Sequence, residues 1–439
     1  VLHADCAGHQ RQLLHQARHI CIVLRLIAAA NLEQLVRQSW KTIGILAVTQ
    51  IASWGSLYYA FAILASDIQR DLGLGSELVF GAFSWSLLVA GLVATPVGVL
   101  LDRYGGRYVM AAGSLLCALG LAWLGHSADV ASYFGAWTVI GLAMALTLYE
   151  AAFATINRKL ATGARQAISK LTLFGGFAST LFWPLTAKLD ATLGWRDTYL
   201  WFAAGQAFVC MPLHLWLGRD QARERAPRTA GADKSHTLAE ALRHPAFWKL
   251  ALAFSANTFI FSAMAVHLIP LLKQLGLTAS VAVLMSTLIG PMQVAGRMGE
   301  MSLARSALPQ TVGKFTFATL PAALLLLALF GSHAWMVAVF CVLYGMSNGI
   351  LTIVRGTIPQ ALFGRENYGA IAGAMAGPSL LSKAAGPFVA AAILRHEGSP
   401  VLLLAVLCAI SVASLAFYLG AVAREGRHAT AQAFDKSTA

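Results

Sequence analysis

Gly98-Val-Leu-Leu-Asp102-Arg103-Tyr-Gly105-Gly106-Arg107-Tyr-Val-Met110 separates two long apolar runs, residues 78–101 and 108–126. Six residues carry the turn, and three of the charged ones are packed into it: Asp102, Arg103 and Arg107. The glycines suit a tight reversal, because glycine alone adopts left-handed backbone at no steric cost. Asp102, at the end of its helix, is placed to accept from the free backbone N–H groups of a neighbouring helix N-terminus. A hairpin with apolar arms this long belongs in a bilayer, whose hydrocarbon core takes about 20 helical residues to cross.

The rest of the chain repeats the pattern. Apolar stretches fall at 42–65, 78–101, 108–126, 131–156, 168–189, 197–217, 247–272, 279–297, 313–331, 334–357, 369–394 and 400–422. Of 439 residues, 58% are hydrophobic and only 12% charged, where a soluble domain carries about a quarter. Mean hydropathy is +0.66. The expectation is an all-α membrane protein of twelve transmembrane helices in two six-helix, pseudo-symmetric halves.

The net charge of +13 is a topology signal. With the N-terminus inside, 24 of the 32 Lys and Arg fall in cytoplasmic segments or, as Lys249, Arg297 and Lys314 do, at the cytoplasmic ends of spans. Five fall outside or at an outer span end, Arg70, Lys188, Arg196, Lys273 and Arg395, and three fall deeper within spans, Lys170, Arg355 and Lys383. This is the positive-inside bias. It predicts a multi-pass protein of a bacterial-type inner membrane with both termini cytoplasmic. The only implied polyanion is the lipid headgroup layer, and no nucleic-acid partner is expected.

Residues 1–41 read as a cytoplasmic extension without fixed structure, because Arg11, Arg18 and Arg25 interrupt its apolar stretch. An N-terminal half then covers 42–217, a basic cytoplasmic linker 218–246, a C-terminal half 247–422 and a cytoplasmic tail 423–439. Thr237 and Glu240 have capping-box spacing within the linker. Six spans, a linker and six more spans point to parallel repeats about an axis along the membrane normal.

The quoted loop resembles the signature G-x-L-a-D-R-x-G-R-K-x-x-L of the major facilitator superfamily. Gly98, Leu100, Asp102, Arg103, Gly105 and the basic Arg107 match, while Gly106 and Met110 depart from it. The resemblance covers 42–422 and implies a secondary transporter rather than an enzyme. It also implies that the loop latches the two halves in the outward-facing state, with Arg158, at the inner end of span four, as a partner for Asp102. His267-Leu-Ile-Pro270, Gly296-Arg297 and Lys383 are similar to the oxalate/formate antiporter and monocarboxylate porter branch. In that branch an Arg on span eight and a Lys on span eleven hold the substrate carboxylate. Around Trp54-Gly-Ser-Leu-Tyr58-Tyr59 the chain also looks like metalloid-efflux members, so efflux of a metalloid or drug is the rival within transport.

Charges inside spans cost about 2.5–3.5 kcal/mol each on insertion scales, which makes them functional candidates. Lys383, near the middle of span eleven, is expected to bind an anionic small-molecule substrate. Arg297 either shares that task, its planar fork matching a carboxylate, or snorkels to the interface. Glu150 is expected to carry a coupling proton or to pair with Lys170 or Arg355. His267 is a second proton-coupling candidate, against an ordinary hydrogen-bonded role. Tyr58, Tyr59, Tyr149 and Asn348 are assigned to the cavity wall.

The chain contains no phosphate-binding loop, H-E-x-x-H, C-x-x-C or G-x-S-x-G pattern. No cofactor or metal is expected, and energy must come from a proton gradient or from exchange for a counter-substrate. A monomer is expected. A non-transporting receptor with a transporter fold is the reading from another class.

Overall fold

The computed structural model describes residues 39–160, 163–218, 235–304, 307–397 and 400–435. The expectations for most of the N-terminal extension, for 219–234 of the linker and for 436–439 of the tail lie outside the described residues.

The architecture is helical. The spans are α1 (39–72), α2 (Ser76–Tyr104), α3 (Gly106–Gly125), α4 (Val130–Lys159), α5 (164–193) and α6 (195–215) in the first half. In the second they are α7 (Pro245–Gln274), α8 (Ala279–Leu303), α9 (Pro309–Phe330), α10 (Ala334–Phe363), α11 (Tyr368–Glu397) and α12 (Pro400–Asp435). Among the described residues, nine of these helices are long and apolar enough to cross a membrane. The other three, α1, α5 and α6, are divided. Wide π-helical turns interrupt α1 at Gly55–Tyr59 and α6 at Gln206–Cys210. A step at Gly175-Gly176 interrupts α5.

Each half has its own apolar core. Phe61, Leu121, Trp137 and Tyr199 are buried together in the first, and Leu271, Leu324, Phe340 and Leu404 in the second. Four cysteines, Cys117, Cys210, Cys341 and Cys408, are free. Ahead of α7 the capping box forms: Thr237 N donates to Glu240 Oε2 at 2.8 Å and Glu240 N to Thr237 Oγ1 at 3.3 Å. It starts a short helix, Leu238–Arg243.

The halves meet most closely where α2 crosses α11. A Cβ on Gly98 would run into the Gly369 carbonyl, and one on Gly373 into the Ala94 carbonyl. Small residues let the backbones touch where lipid offers no hydrophobic drive to pack. This crossing, with the Asp102 turn at its end, defines what is called the loop side of the molecule below.

At the opposite face, Arg196 ties three helix ends of the first half. It pairs with Asp71 at 2.9 Å and donates to the Gly125 and Ser127 carbonyls at 3.1 and 2.6 Å. Nearby, at the end of α5 just beyond the apolar stretch 168–189, burial and the adjacent Asp67 carboxylate push the Asp190 carboxyl up to about 6. A carboxyl raised on folding favours the folded state when protonated, and that contribution is lost as pH rises through the folded value. Thermal unfolding of wild type should therefore show a small loss of stability as pH rises through about 6, absent in Asp190→Asn. Identical pH profiles for the two proteins would remove this assignment.

Candidate functional site

The loop closes one side of the interface between halves. Gly105 sits at φ 78°, ψ 166°, a conformation that only glycine adopts without strain. Asp102 accepts from Gly369 N at 2.9 Å and Ala370 N at 2.7 Å, the first turn of α11. A carboxylate at the positive end of a helix is a favourable pairing. Arg158 Nη1 donates to the Asp102 carbonyl. Arg365, on the connection from α10 to α11, donates back to the Asn157 carbonyl. Arg103 and Arg107 lie over the rings of their neighbours, Tyr104 and Tyr108. The departure at Gly106 has a steric reason, since any side chain there would strike Thr155 of α4.

Besides these contacts of the loop, two ion pairs bridge the halves. Glu150 pairs with Arg355 of α10 at 2.5 Å. Glu300 of α8, nearly inaccessible, pairs with Arg165 of α5 at 2.7 Å and accepts from Ser169 Oγ at 2.8 Å. Glu300 was missed in the sequence reading because span eight was ended at 297. The helix runs on to Leu303, and Glu300 is one turn beyond Arg297, on the same face.

The position of Glu150 follows from a break in α4. Leu148 leaves helical geometry at φ −79°, ψ −165°, and a new helix begins at Tyr149. Gln50 of α1 donates to the Thr147 carbonyl at 2.5 Å, at the break. Glu150 then lies in the first turn of the new segment, at the helix N-terminus and beside Arg355.

Lys383 lies between the halves. Its Nζ sits 4.0 Å from the Tyr58 ring centroid and 5.3 Å from that of Trp54. The backbone beneath it is opened by Pro387, which has no N–H to return to the Lys383 carbonyl four residues earlier. Ser262 Oγ of α7 supplies the missing donor. Gly386 lets α7 come that close, since a Cβ there would meet the Phe259 carbonyl at 2.8 Å. His267 Nε2 is 3.0 Å from the Pro387 carbonyl, in the same kink.

Arg297 is 6% exposed, which places it inside the bundle rather than at the interface. Its Nε is 3.4 Å from the Gly349 carbonyl of α10. The guanidinium fills the space that a Cβ on Gly176 would take, and the Tyr149 hydroxyl does the same at Gly175. The Gly175-Gly176 step thus admits both groups to the interface. The Tyr59 and Tyr149 hydroxyls lie within Coulombic range of the Arg297 guanidinium.

The facing wall is aromatic. Trp54 lies 5.5 Å from Tyr58, 6.3 Å from Tyr59 and 5.2 Å from Tyr149, centroid to centroid. Asn348 is half-buried on α10 beside Gly349. The structure therefore groups Lys383 with Tyr58, and Arg297 with Tyr59 and Tyr149, around one aromatic cluster. It holds Glu150 against Arg355, and it sets His267 on the far flank of α11. Among the described residues neither Lys383 nor Arg297 is in a salt bridge, and no metal-ligating cluster is present.

Known proteins resemble this chain in sequence and in fold. The model of the Major Facilitator Superfamily matches residues 46–387. The oxalate:formate antiporter of Oxalobacter formigenes is 23% identical over 241 residues, 54% of this chain and 56% of that protein. Monocarboxylate transporter 4 of Gallus gallus is 23% identical over 333 residues, 72% of this chain and 68% of that protein. The first of these matches spans little more than half the length of the relative. Among solved structures, the human organic anion transporter MFSD10 superimposes with a TM-score of 0.65 at 15% identity, covering 87% of this chain and 99% of that one. At that identity the likeness speaks for the fold alone. Members of this family are transporters rather than enzymes, and a family match over most of the chain, on twelve helices joined by its signature loop, leads to one conclusion: the chain belongs to the major facilitator superfamily.

Proposed function

We propose that this protein carries a small organic anion, a mono- or dicarboxylate, across a bacterial-type inner membrane by alternating access. The observation that carries the reading is Lys383. It is a cation between the two halves, held over Tyr58 and Trp54, with no carboxylate in salt-bridge distance among the described residues. A charge kept there without a counter-ion is explained if the counter-ion is the cargo. Arg297 supplies a second cationic contact, and Tyr58, Tyr59, Tyr149 and Asn348 shape the pocket. The names of the relatives, an oxalate:formate antiporter and a monocarboxylate transporter, point to the same cargo class.

The loop side is the cytoplasmic side, both termini are cytoplasmic, and the protein works as a monomer. The halves, 42–217 and 247–422, rock about the site with 218–246 as the linker. Asp102, Gly98, Arg103, Gly105, Arg107 and Arg158 latch them shut on that side, which leaves the site to be approached from outside. A proton on Glu150 releases Arg355 and helps the halves part, with His267 the second candidate for the proton. A counter-substrate resets the cycle if no proton is coupled.

Uptake of labelled small carboxylates into liposomes, with and without an imposed proton gradient, tests this. Saturable uptake that rises with the gradient supports proton coupling. In that case Glu150→Gln should lose the gradient dependence and keep exchange of internal for external substrate. A Glu150→Gln protein that still responds to the gradient would remove Glu150 from the coupling step. No carboxylate taken up by folded, inserted protein would remove the cargo assignment.

A further inference from the structure

The aromatic wall depends on a piece of backbone that the transport reading leaves unexplained. At Gly55–Tyr59 the helix α1 widens into a π turn, closed by the Ala60 N–H donating to the Gly55 carbonyl. Such turns insert one residue into an α-helix and recur at functional sites. The consequence here is visible in the ring contacts. In a regular α-helix, Trp54 has Tyr58 as its neighbour one turn on, while Tyr59 has moved round by about 100°. In this helix Trp54 packs on both, at 5.5 and 6.3 Å. Tyr58 then lies under Lys383, and Tyr59 is 6.2 Å from Trp183 and within electrostatic reach of Arg297. Two adjacent tyrosines thus serve the two cations at once.

A widened turn is less stable than the α-helix it replaces, so something must hold it. Gly55 removes a steric obstacle, because a Cβ there would collide with the ring of Phe182. The polar contact comes from α6. Gln206 is buried, and its Nε2 lies 3.1 Å from Ser56 Oγ and 3.3 Å from Ser53 Oγ. Ser56 Oγ in turn donates to the Ala52 carbonyl at 2.8 Å. Gln206 is itself the first residue of the π turn in α6, whose closing bond runs from Met211 N–H to the Gln206 carbonyl. The two widened turns are therefore joined side by side through one amide and two hydroxyls.

We propose that Gln206 is a positioning residue of the transport site: it clamps the π turn of α1 through Ser53 and Ser56 and thereby sets Tyr58 and Tyr59 on the cargo. It touches no cargo itself. The proposal rests on the site assignment given above, and deepens it by naming what fixes the shape of the pocket.

The test uses the full chain in liposomes, with Gln206→Leu to remove the amide at similar volume and Ser56→Ala to cut the clamp from the other helix. Two readouts are taken. The first is the rate at which an impermeant maleimide labels Tyr59→Cys, measured on the modified peptide with and without each clamp variant, which needs no cargo. Relaxation of the turn should rotate position 59 and slow labelling by about tenfold, the effect of one to two hydrogen bonds. The second is uptake of a carboxylate by proteins that keep Tyr59: KM should rise by about tenfold while the maximal rate stays within about threefold. Adding Ser56→Ala to Gln206→Leu should change neither readout further, because both act on one clamp.

Unchanged labelling in both variants overturns the proposal, whatever happens to uptake. If Gln206→Leu fails to insert, the Ser56→Ala result decides alone. If no carboxylate is taken up by wild type, the cargo assignment fails while the labelling still decides whether Gln206 sets the turn.

Discussion

Replacing Lys383 by alanine should lower transport about a hundredfold or more and leave the protein at least as stable as wild type. The two halves of this expectation come from different magnitudes. A lysine in the middle of a span costs about 2.5–3.5 kcal/mol on insertion scales. Its contacts with Tyr58 and Trp54 at 4.0 and 5.3 Å return about 0.5–2 kcal/mol as cation–π attraction. The fold therefore gains little or nothing from the charge, and its removal should not lower the melting temperature. The cargo, by contrast, loses a desolvated charge pair, and truncating one partner of such a pair costs about 2–5 kcal/mol. At about 1.4 kcal/mol per tenfold, the upper part of that range is a hundredfold or more. Uptake into liposomes alongside thermal unfolding checks both. A protein that melts early and transports normally would reverse the assignment and make Lys383 a structural group.

The second large effect is expected at Gly98. Gly98→Leu should leave the protein folded, hold the loop side open and cut uptake by more than about tenfold. A Cβ at 98 meets the Gly369 carbonyl, which is backbone and cannot rotate away. Overfilling a close contact costs about 1–3 kcal/mol. Parting the helices also removes the Asp102 carboxylate from Gly369 N and Ala370 N, each a charge-assisted bond worth about 1.5–3 kcal/mol. Each half keeps its own core, so the cost falls on the closed interface rather than on folding. A shift of this size is enough to move a two-state equilibrium from one state to the other. Cysteine accessibility at Ala372, which lines a pocket together with Glu150 and Arg355, should rise sharply from the loop side. Wild-type accessibility there would show that the α2–α11 crossing does not control closure.

The sequence disclosed most where one strong physical term dominates. Hydropathy gave the twelve spans, because crossing a bilayer imposes length and apolarity together. The chemistry of Asp102 was readable from its place at a helix end. Its donors were not, since Gly369 and Ala370 lie hundreds of residues away and only the folded interface brings them near. Charges within spans were legible as outliers, yet their partners were only open alternatives: Glu150 was offered Lys170 or Arg355, and it pairs with Arg355. Arg297 was offered an interfacial or an interior place, and it is interior.

Other features left little trace. The break at Leu148 contains neither glycine nor proline, and it is matched by Gln50 from another helix. Glu300 was passed over by closing its span six residues early. The π turns at Gly55–Tyr59 and Gln206–Cys210 depend on contacts between α1 and α6, and no local pattern of residues announces them. Gly175-Gly176 admits Arg297 and Tyr149, a use that only the packed interface reveals.

The central claim is that an anionic charge on the cargo is met by Lys383. It is tested most directly by comparing uptake of a small carboxylate with uptake of its amide, which has nearly the same shape and no charge, by wild type and Lys383→Ala in liposomes. The account predicts saturable uptake of the acid alone, lost in the variant. Equal uptake of acid and amide, or acid uptake that survives Lys383→Ala, would contradict it.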